Sequence, residues 1–390
     1  MPLVCIDCRY IGPKPSGIAK VVQALVDWVP ELAPDLDFLL LKNPKFTGQL
    51  STAGNVTEAV VNAAANSPTT MWRLPAVVDL SQVDLFHATF NIMPARLRMP
   101  CVTTVHDIMW LTNPEWCNSR FSSLLERFFY QHGIRRALER SAAIATVSEA
   151  SRHAIEGYAP QAADRIAVTP LGISSAYREI AYRPEDLSRL GLAPDRPFIL
   201  CVGQYVPYKN HEGALRIFAE ATESLDHVDL VFVQRLNRRS DGLRRLATSL
   251  GIAHRVRFLP LVEQRDLTLL FNAAKALLHP SYCEGFGLPL AEAMACGCPV
   301  VTSGRSAMLE VVGEAGLLAD PDDVHAMAAA LRRVIENSSL AATLKQKGLQ
   351  RAVRFEWRRF AHDNLDVYRR VLRRTPEIRA EMKVNRMRAN

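Results

Sequence analysis

Strand-length apolar runs alternate with segments of helical period along this chain, and the alternation occurs as two separate series. This feature constrains the fold most. Strands separated by helices pair in parallel, and a parallel sheet needs helices over both faces. In the first series the runs are LVCIDCRYI (3–11), FLLLK (38–42), VDLFHAT (83–89), CVTTVHD (101–107) and AAIATVS (142–148). Ile18, Val21, Val22, Leu25, Val26 and Val29 recur at helical spacing, and a second helical segment fills 121–141. Tyr177 to Arg196 is polar and proline-containing, and reads as an interdomain linker. The second series has strand candidates at 197–203, 228–234, 256–260, 275–281, 299–303 and 315–320. Its helices are expected from His211 to Ser224, from Asp241 to Leu250, and at 263–273, Pro289 to Cys296, 322–336 and 339–354. The fold class is therefore α/β, with two Rossmann-like domains at 1–180 and 190–356. A last helix with an apolar stripe covers 355–374.

Length and composition agree with this division. A chain of 390 residues exceeds what one core usually serves, and 48% hydrophobic with 22% charged residues is a globular balance. No run of about 18 uncharged apolar residues exists, so no membrane-spanning helix is expected. The first nine residues have no basic region before their apolar stretch and read as a strand, which points to a cytoplasmic protein. Cys5-x-x-Cys8 and Cys296-x-Cys298 lie in strand-like or helix-end contexts, so small buried thiols are expected rather than a metal site. The net charge of +7 equals the excess carried by Arg351 to Asn390, with twelve basic and five acidic residues. The basicity thus belongs to the C-terminal tail, which can meet anionic lipid or nucleic acid or be a solvated helix end. The neutral first 350 residues argue against wide nucleic-acid contact.

Ligands of open parallel sheets bind beyond the carboxyl ends of the strands. The polar residues gather there: Ser16-Gly17, His87, His106-Asp107 and Ser148 in the first half, and 203–210 and 281–287 in the second. The most informative stretch is HPSYCEGFGLPLAEAMACGCPVV, 279–301. Glu284 ends a loop, and Gly285, Phe286 and Gly287 lead into a helix near Leu288-Pro289. Glycines admit a ligand close to the backbone, and the free amides of a helix N-terminus suit phosphate. Glu292 follows within the helix. As ordinary N-terminal charges, Glu284 and Glu292 would each contribute about 0.3–1 kcal/mol through the helix dipole; the intervening G-x-G is left unexplained by that reading. GQYVPYKN (203–210) brings Lys209 to a strand-to-helix turn, where it can meet a diphosphate as a mobile point charge.

E284-x7-E292 within this stretch, preceded in order by PSGIAKVV, TVHD (104–107), ATVSEAS (145–151), VTPLGI (168–173) and YKN, resembles family 4 of the retaining glycosyltransferases. The resemblance covers most of the chain. It implies the GT-B fold: two Rossmann-like domains facing across a cleft, an acceptor-side N-terminal one and a nucleotide-sugar-binding C-terminal one, with a C-terminal helix (357–390) crossing back to the first. It implies that Glu292 bonds the ribose, Glu284 lies near the transferred sugar, and Gly285, Phe286, Gly287 and Leu288 give backbone contacts. Lys209 would stabilise the departing diphosphate, Gly17 would let the first loop approach it, and His106 would lie near the sugar 6-position. The donor is a nucleoside diphosphate sugar, with GDP-mannose the best choice from the resemblance to bacterial mannosyltransferases and UDP-sugars open. The acceptor is a saccharide or lipid-linked saccharide of surface-polysaccharide assembly. No essential metal and no cofactor are expected.

The sequence also departs from the family. Gln204 stands near where relatives carry a second phosphate-binding Arg; Arg235, after the next strand, is the candidate substitute. Asp320-Pro321-Asp322 matches D-x-D but begins a helix, which favours capping over metal binding. The Arg-rich tail, and Phe121, Leu125, Phe128 and Phe129 beside Arg127, Arg135, Arg136 and Arg140, offer peripheral contact with the inner face of an anionic membrane. Phosphorylase, epimerase and non-catalytic binding functions remain as alternatives.

Overall fold

A computed structural model describes residues 1–13, 16–117, 124–235 and 240–375. The chain forms two compact units: Met1–Pro114, Ser122–Gly172 and Trp357–Asn390 in unit 1, Glu115–Phe121 and Ile173–Glu356 in unit 2. The basic tail beyond Thr375 and Phe121 lie outside the described residues.

Unit 1 contains a seven-stranded sheet: β1 (Leu3–Asp7), β2 (Asp37–Lys42), β3 (Val56–Val60), β4 (Leu85–Ala88), β5 (Cys101–Thr104), β6 (Ala143–Thr146) and β7 (Ile166–Val168). Their spatial order is β3-β2-β1-β4-β5-β6-β7, all parallel. Unit 2 contains β8 (Phe198–Val202), β9 (Asp229–Val233), β10 (Val256–Leu259), β11 (Ala276–His279), β12 (Val300–Ser303) and β13 (Gly316–Ala319). They run in the order β10-β9-β8-β11-β12-β13, also all parallel.

The inner strands read as unbroken apolar runs because helices cover both of their faces. Phe86, Ile144 and Ile134 centre one core; Leu230, Phe232, Leu278 and Leu331 centre the other. The eight cysteines are free thiols. Burial holds those of Cys5 and Cys8 well above the usual range, which keeps them unreactive.

Two features depart from the sequence expectations. β3 and β7 are not among the expected strands; they are the two edges of the first sheet, and β3 has only half-buried and exposed residues. The polar stretch expected as a linker is anchored on unit 2. Tyr177 is buried there against Phe271, Ile180 N–H donates to Asn272 Oδ1, and Arg189 pairs with Asp266.

The last helix, Trp357–Arg373, belongs to unit 1 and packs on helix Gly17–Leu32 through a face that includes Phe360, Leu365, Tyr368 and Val371. The fully buried His87 ring joins it to the sheet: Nδ1 lies 2.5 Å from Tyr368 Oη and Nε2 lies 2.8 Å from Thr104 Oγ1. Burial lowers His87 to about 3, so the ring is neutral at physiological pH. Among the described residues no helix is long and apolar enough to cross a membrane.

Candidate active site

In unit 2 the strand order reverses between β8 and β11. Chain leaving β8 returns at β9 on one side, and chain leaving β11 returns at β12 on the other. Their loops therefore diverge at neighbouring strand ends, which is where open α/β sheets leave a crevice. The two loops are the segments 203–210 and 280–287. Tyr282 N–H donates to Tyr208 O at 2.8 Å and ties one to the other.

Lys209 and Glu284 meet at this point. Lys209 Nζ lies 2.6 Å from Glu284 Oε1, and both side chains are about nine-tenths buried. Their 75-residue separation is bridged because β8 and β11 are hydrogen-bonded neighbours. The aliphatic part of Lys209 runs over Gly203, where φ is +145° and a Cβ would come within 3.4 Å of Lys209 Cε. Asn210 turns the chain from Lys209 into the helix His211–Ala221: its φ is +52°, and its side-chain oxygen accepts from Gly213 N. Asn tolerates this left-handed conformation better than most residues.

His279, at the end of β11, is the third member of the cluster. Its Nε2 lies 2.8 Å from Glu284 Oε1 and 3.1 Å from Ser281 Oγ. Burial alone would raise the Glu284 carboxyl, but Lys209 and the hydrogen bond from His279 pull it down to about 2. Burial pushes the His279 ring below its usual range although Glu284 favours its charged form. At neutral pH the cluster is therefore a carboxylate held by an ammonium ion and a neutral imidazole. Lys209, expected as a point charge for a diphosphate, is here the ion-pair partner of Glu284.

Gly287 has φ +97°, and a Cβ there would lie 2.9 Å from Leu290 Cδ1, so only glycine opens the helix Leu288–Ala295 in this way. Pro289 sits in the first turn, where its missing N–H costs nothing. The Phe286 ring is buried edge-on against Phe355 and packs the loop from behind. Glu292, on the same helix, is buried and accepts a hydrogen bond from the Tyr177 hydroxyl.

Gln204 and Arg235 are exposed, and neither makes a hydrogen bond or ion pair among the described residues. Asp320 and Asp322 share the Arg305 guanidinium at 2.6–2.8 Å. The cap of the following helix is Asp323, one residue beyond the D-x-D expected to supply it. In unit 1, Gly17 opens the 16-residue helix behind β1, with Ser16 capping it by accepting from Ala19 N. His106 follows β5. Its Nε2 donates to Thr89 O at 3.2 Å, and burial lowers the ring to about 4.

Comparison with known proteins identifies the family and agrees with the fold. The family described as glycosyltransferase family 4 matches residues 15–177, and the one described as glycosyl transferases group 1 matches 183–351. A curated relative, O-antigen chain mannosyltransferase B of Escherichia coli, is 33% identical over 288 residues, 73% of this chain and 74% of that protein. The chain is a family 4 glycosyltransferase. A D-inositol 3-phosphate glycosyltransferase of Nocardioides sp. is 36% identical over 209 residues, 48% of this chain; the match spans slightly under half (46%) of that relative's own length. Among solved structures, WaaG, described as a glycosyltransferase involved in lipopolysaccharide biosynthesis, superposes with a TM-score of 0.72 at 19% identity over 94% of this chain and 99% of that one. The fold is GT-B.

Two residues of the glycosyltransferase cluster escaped the sequence reading. His279 stands five residues before Glu284, but at the end of an apolar run it read only as the close of a strand. Tyr177 lies in the polar stretch, where no local pattern marks a partner for Glu292, 115 positions further on.

Proposed function

We propose that this glycosyltransferase moves a hexose, mannose from GDP-mannose, to a saccharide or lipid-linked saccharide with retention of anomeric configuration. The observation that carries the reading is the Lys209–Glu284–His279 cluster beside the amide-rich opening of helix Leu288–Ala295. In the reaction the bond between the anomeric carbon and the β-phosphate oxygen breaks, and the acceptor oxygen forms the new bond on the same face. The departing phosphate oxygen takes the acceptor proton. Negative charge develops on the diphosphate, where Lys209 and the helix amides oppose it; such fixed donors supply much of the catalysis in sites of this kind. Glu284 holds sugar hydroxyls, Glu292 the ribose, and His106 the 6-position of the sugar. Arg305 occupies the D-x-D carboxylates, so the positive charge for the leaving group falls to Lys209, and the reaction needs no metal.

The name of the E. coli relative supports mannose and an O-antigen-like acceptor, and with them a role in surface-polysaccharide assembly. Leu124, Leu125 and Phe128 are exposed on helix Leu124–Arg140 beside Arg127 and Arg135, which supports peripheral attachment to an anionic membrane. The test is a thermal-shift panel of GDP, UDP, ADP, dTDP and CMP. A ligand at about 100 times its Kd adds roughly 2.7 kcal/mol. The expected result is a response to GDP that Glu292→Ala abolishes, followed by transfer from GDP-mannose in the presence of EDTA with an α-linked product. No response to any nucleotide overturns the reading. Sedimentation with anionic but not neutral liposomes is expected of the membrane contact.

A further inference from the structure

Ser306 adopts a backbone conformation that side-chain-bearing residues avoid. Its φ is +53° and its ψ −147°, a region used almost only by glycine. It stands immediately before helix Ala307–Val312, where a serine usually turns its hydroxyl back to accept from the helix amides. It makes no such bond. The hydroxyl instead donates to Glu284 O at 2.8 Å, and Cys283 Sγ lies 3.4 Å from Ser306 Oγ. A strained backbone and a forgone cap are two costs at one residue, and the bond to the Glu284 carbonyl is what they secure.

Resting on the proposed function of Glu284, we infer that Ser306 is a positioning residue for the sugar-binding carboxylate. The Glu284 carbonyl and the Gly285 N–H lie in one rigid peptide plane. Fixing the carbonyl therefore fixes the direction in which the chain enters the 285–287 glycine turn. The Glu284 side chain is held independently by Lys209 and His279. The residue is thus clamped at both ends: at its carboxylate from β8 and β11, and at its main chain from the loop after β12. β12 is the strand hydrogen-bonded to β11, so the clamp is built across adjacent strand ends of one sheet.

The experiment compares Ser306→Gly with Ser306→Ala. Both lose the hydroxyl, but only glycine relieves the backbone, so Ser306→Gly is expected to melt above Ser306→Ala. If the hydroxyl positions Glu284, both variants lose kcat for glycosyl transfer by about tenfold, the worth of one hydrogen bond, despite their different stabilities. Hydrogen exchange of the 281–290 backbone is expected to quicken in both. A kcat that follows melting temperature, with Ser306→Gly matching wild type, overturns the inference and leaves the serine a structural residue. Unchanged exchange at 281–290 overturns it independently of any activity. A wild-type protein that transfers from none of the nucleotide sugars overturns the function proposed above, and the exchange data then decide the clamp alone.

Discussion

Replacing Lys209 by methionine removes the ammonium group and keeps most of the stem that lies over Gly203. Glu284 then stays buried with His279, a neutral donor, as its remaining partner in the cluster. Removing one partner of a buried ion pair costs about 3–5 kcal/mol, because the other charge is left uncompensated. A unit of this size shifts its melting temperature by about 2–4 °C per kcal/mol, so the expected loss at neutral pH is roughly 6–20 °C. The pH dependence carries the sharper test. In wild type the folded carboxyl sits at about 2, below its ordinary 4.5. The pair's stabilisation is complete above about 4.5 and is lost as pH falls from there towards 2. In Lys209→Met, burial acts without the ammonium to oppose it and raises the folded carboxyl. The gap between the two proteins is then widest at neutral pH and closes in acid. Calorimetry of wild type, Lys209→Met, Glu284→Gln and the double variant between about pH 3 and 8 measures it. The double variant buries no charge and regains most of the lost stability. A Lys209→Met protein melting within about 2 °C of wild type at pH 7, or a gap that does not narrow in acid, would refute the argument.

Three further outcomes are expected. Gly287→Ala forces a side chain into the left-handed region and against Leu290; a loss of about 1–2 kcal/mol in urea unfolding, with a blunted nucleotide response, checks it. Tyr368→Phe strips a partner from the buried His87 ring and costs about 1–3 kcal/mol, read as a lower urea midpoint for unit 1; an unchanged midpoint would show that the ring carries no load there. Burial holds His87, His106 and His211 to about 3, 4 and 3, against 6.5 in the unfolded chain. The unfolded state therefore takes up protons first, so stability declines as pH drops from 6.5 towards 4, and His106→Gln flattens that slope.

The parts of this protein visible in its sequence are those whose determinants are local. Inner strands of a parallel sheet are apolar on both faces, so β1, β4, β5, β8 and β11 stand out as continuous runs. β3, with Val56, Thr57 and Glu58 on a sheet edge, has no second buried face to advertise it. Around the site, the glycines flanking Phe286 and the carboxylates at 284 and 292 appear as a motif because one short loop and one helix carry them. Their partners come from elsewhere: Lys209 lies 75 positions away, Ser306 22 positions and Tyr177 115. A motif records which groups a site uses. The tertiary structure decides what each group is doing before substrate arrives. Here Glu284 is already bound at its carboxylate by Lys209 and His279 and at its carbonyl by Ser306. Under the proposed function, a donor diphosphate arriving at Lys209 would compete with Glu284 for the ammonium, and sugar hydroxyls would replace at the carboxylate what the ammonium gives up. Diphosphate and sugar are parts of one such donor, so on that proposal the Lys209–Glu284 pair would couple recognition of its two halves.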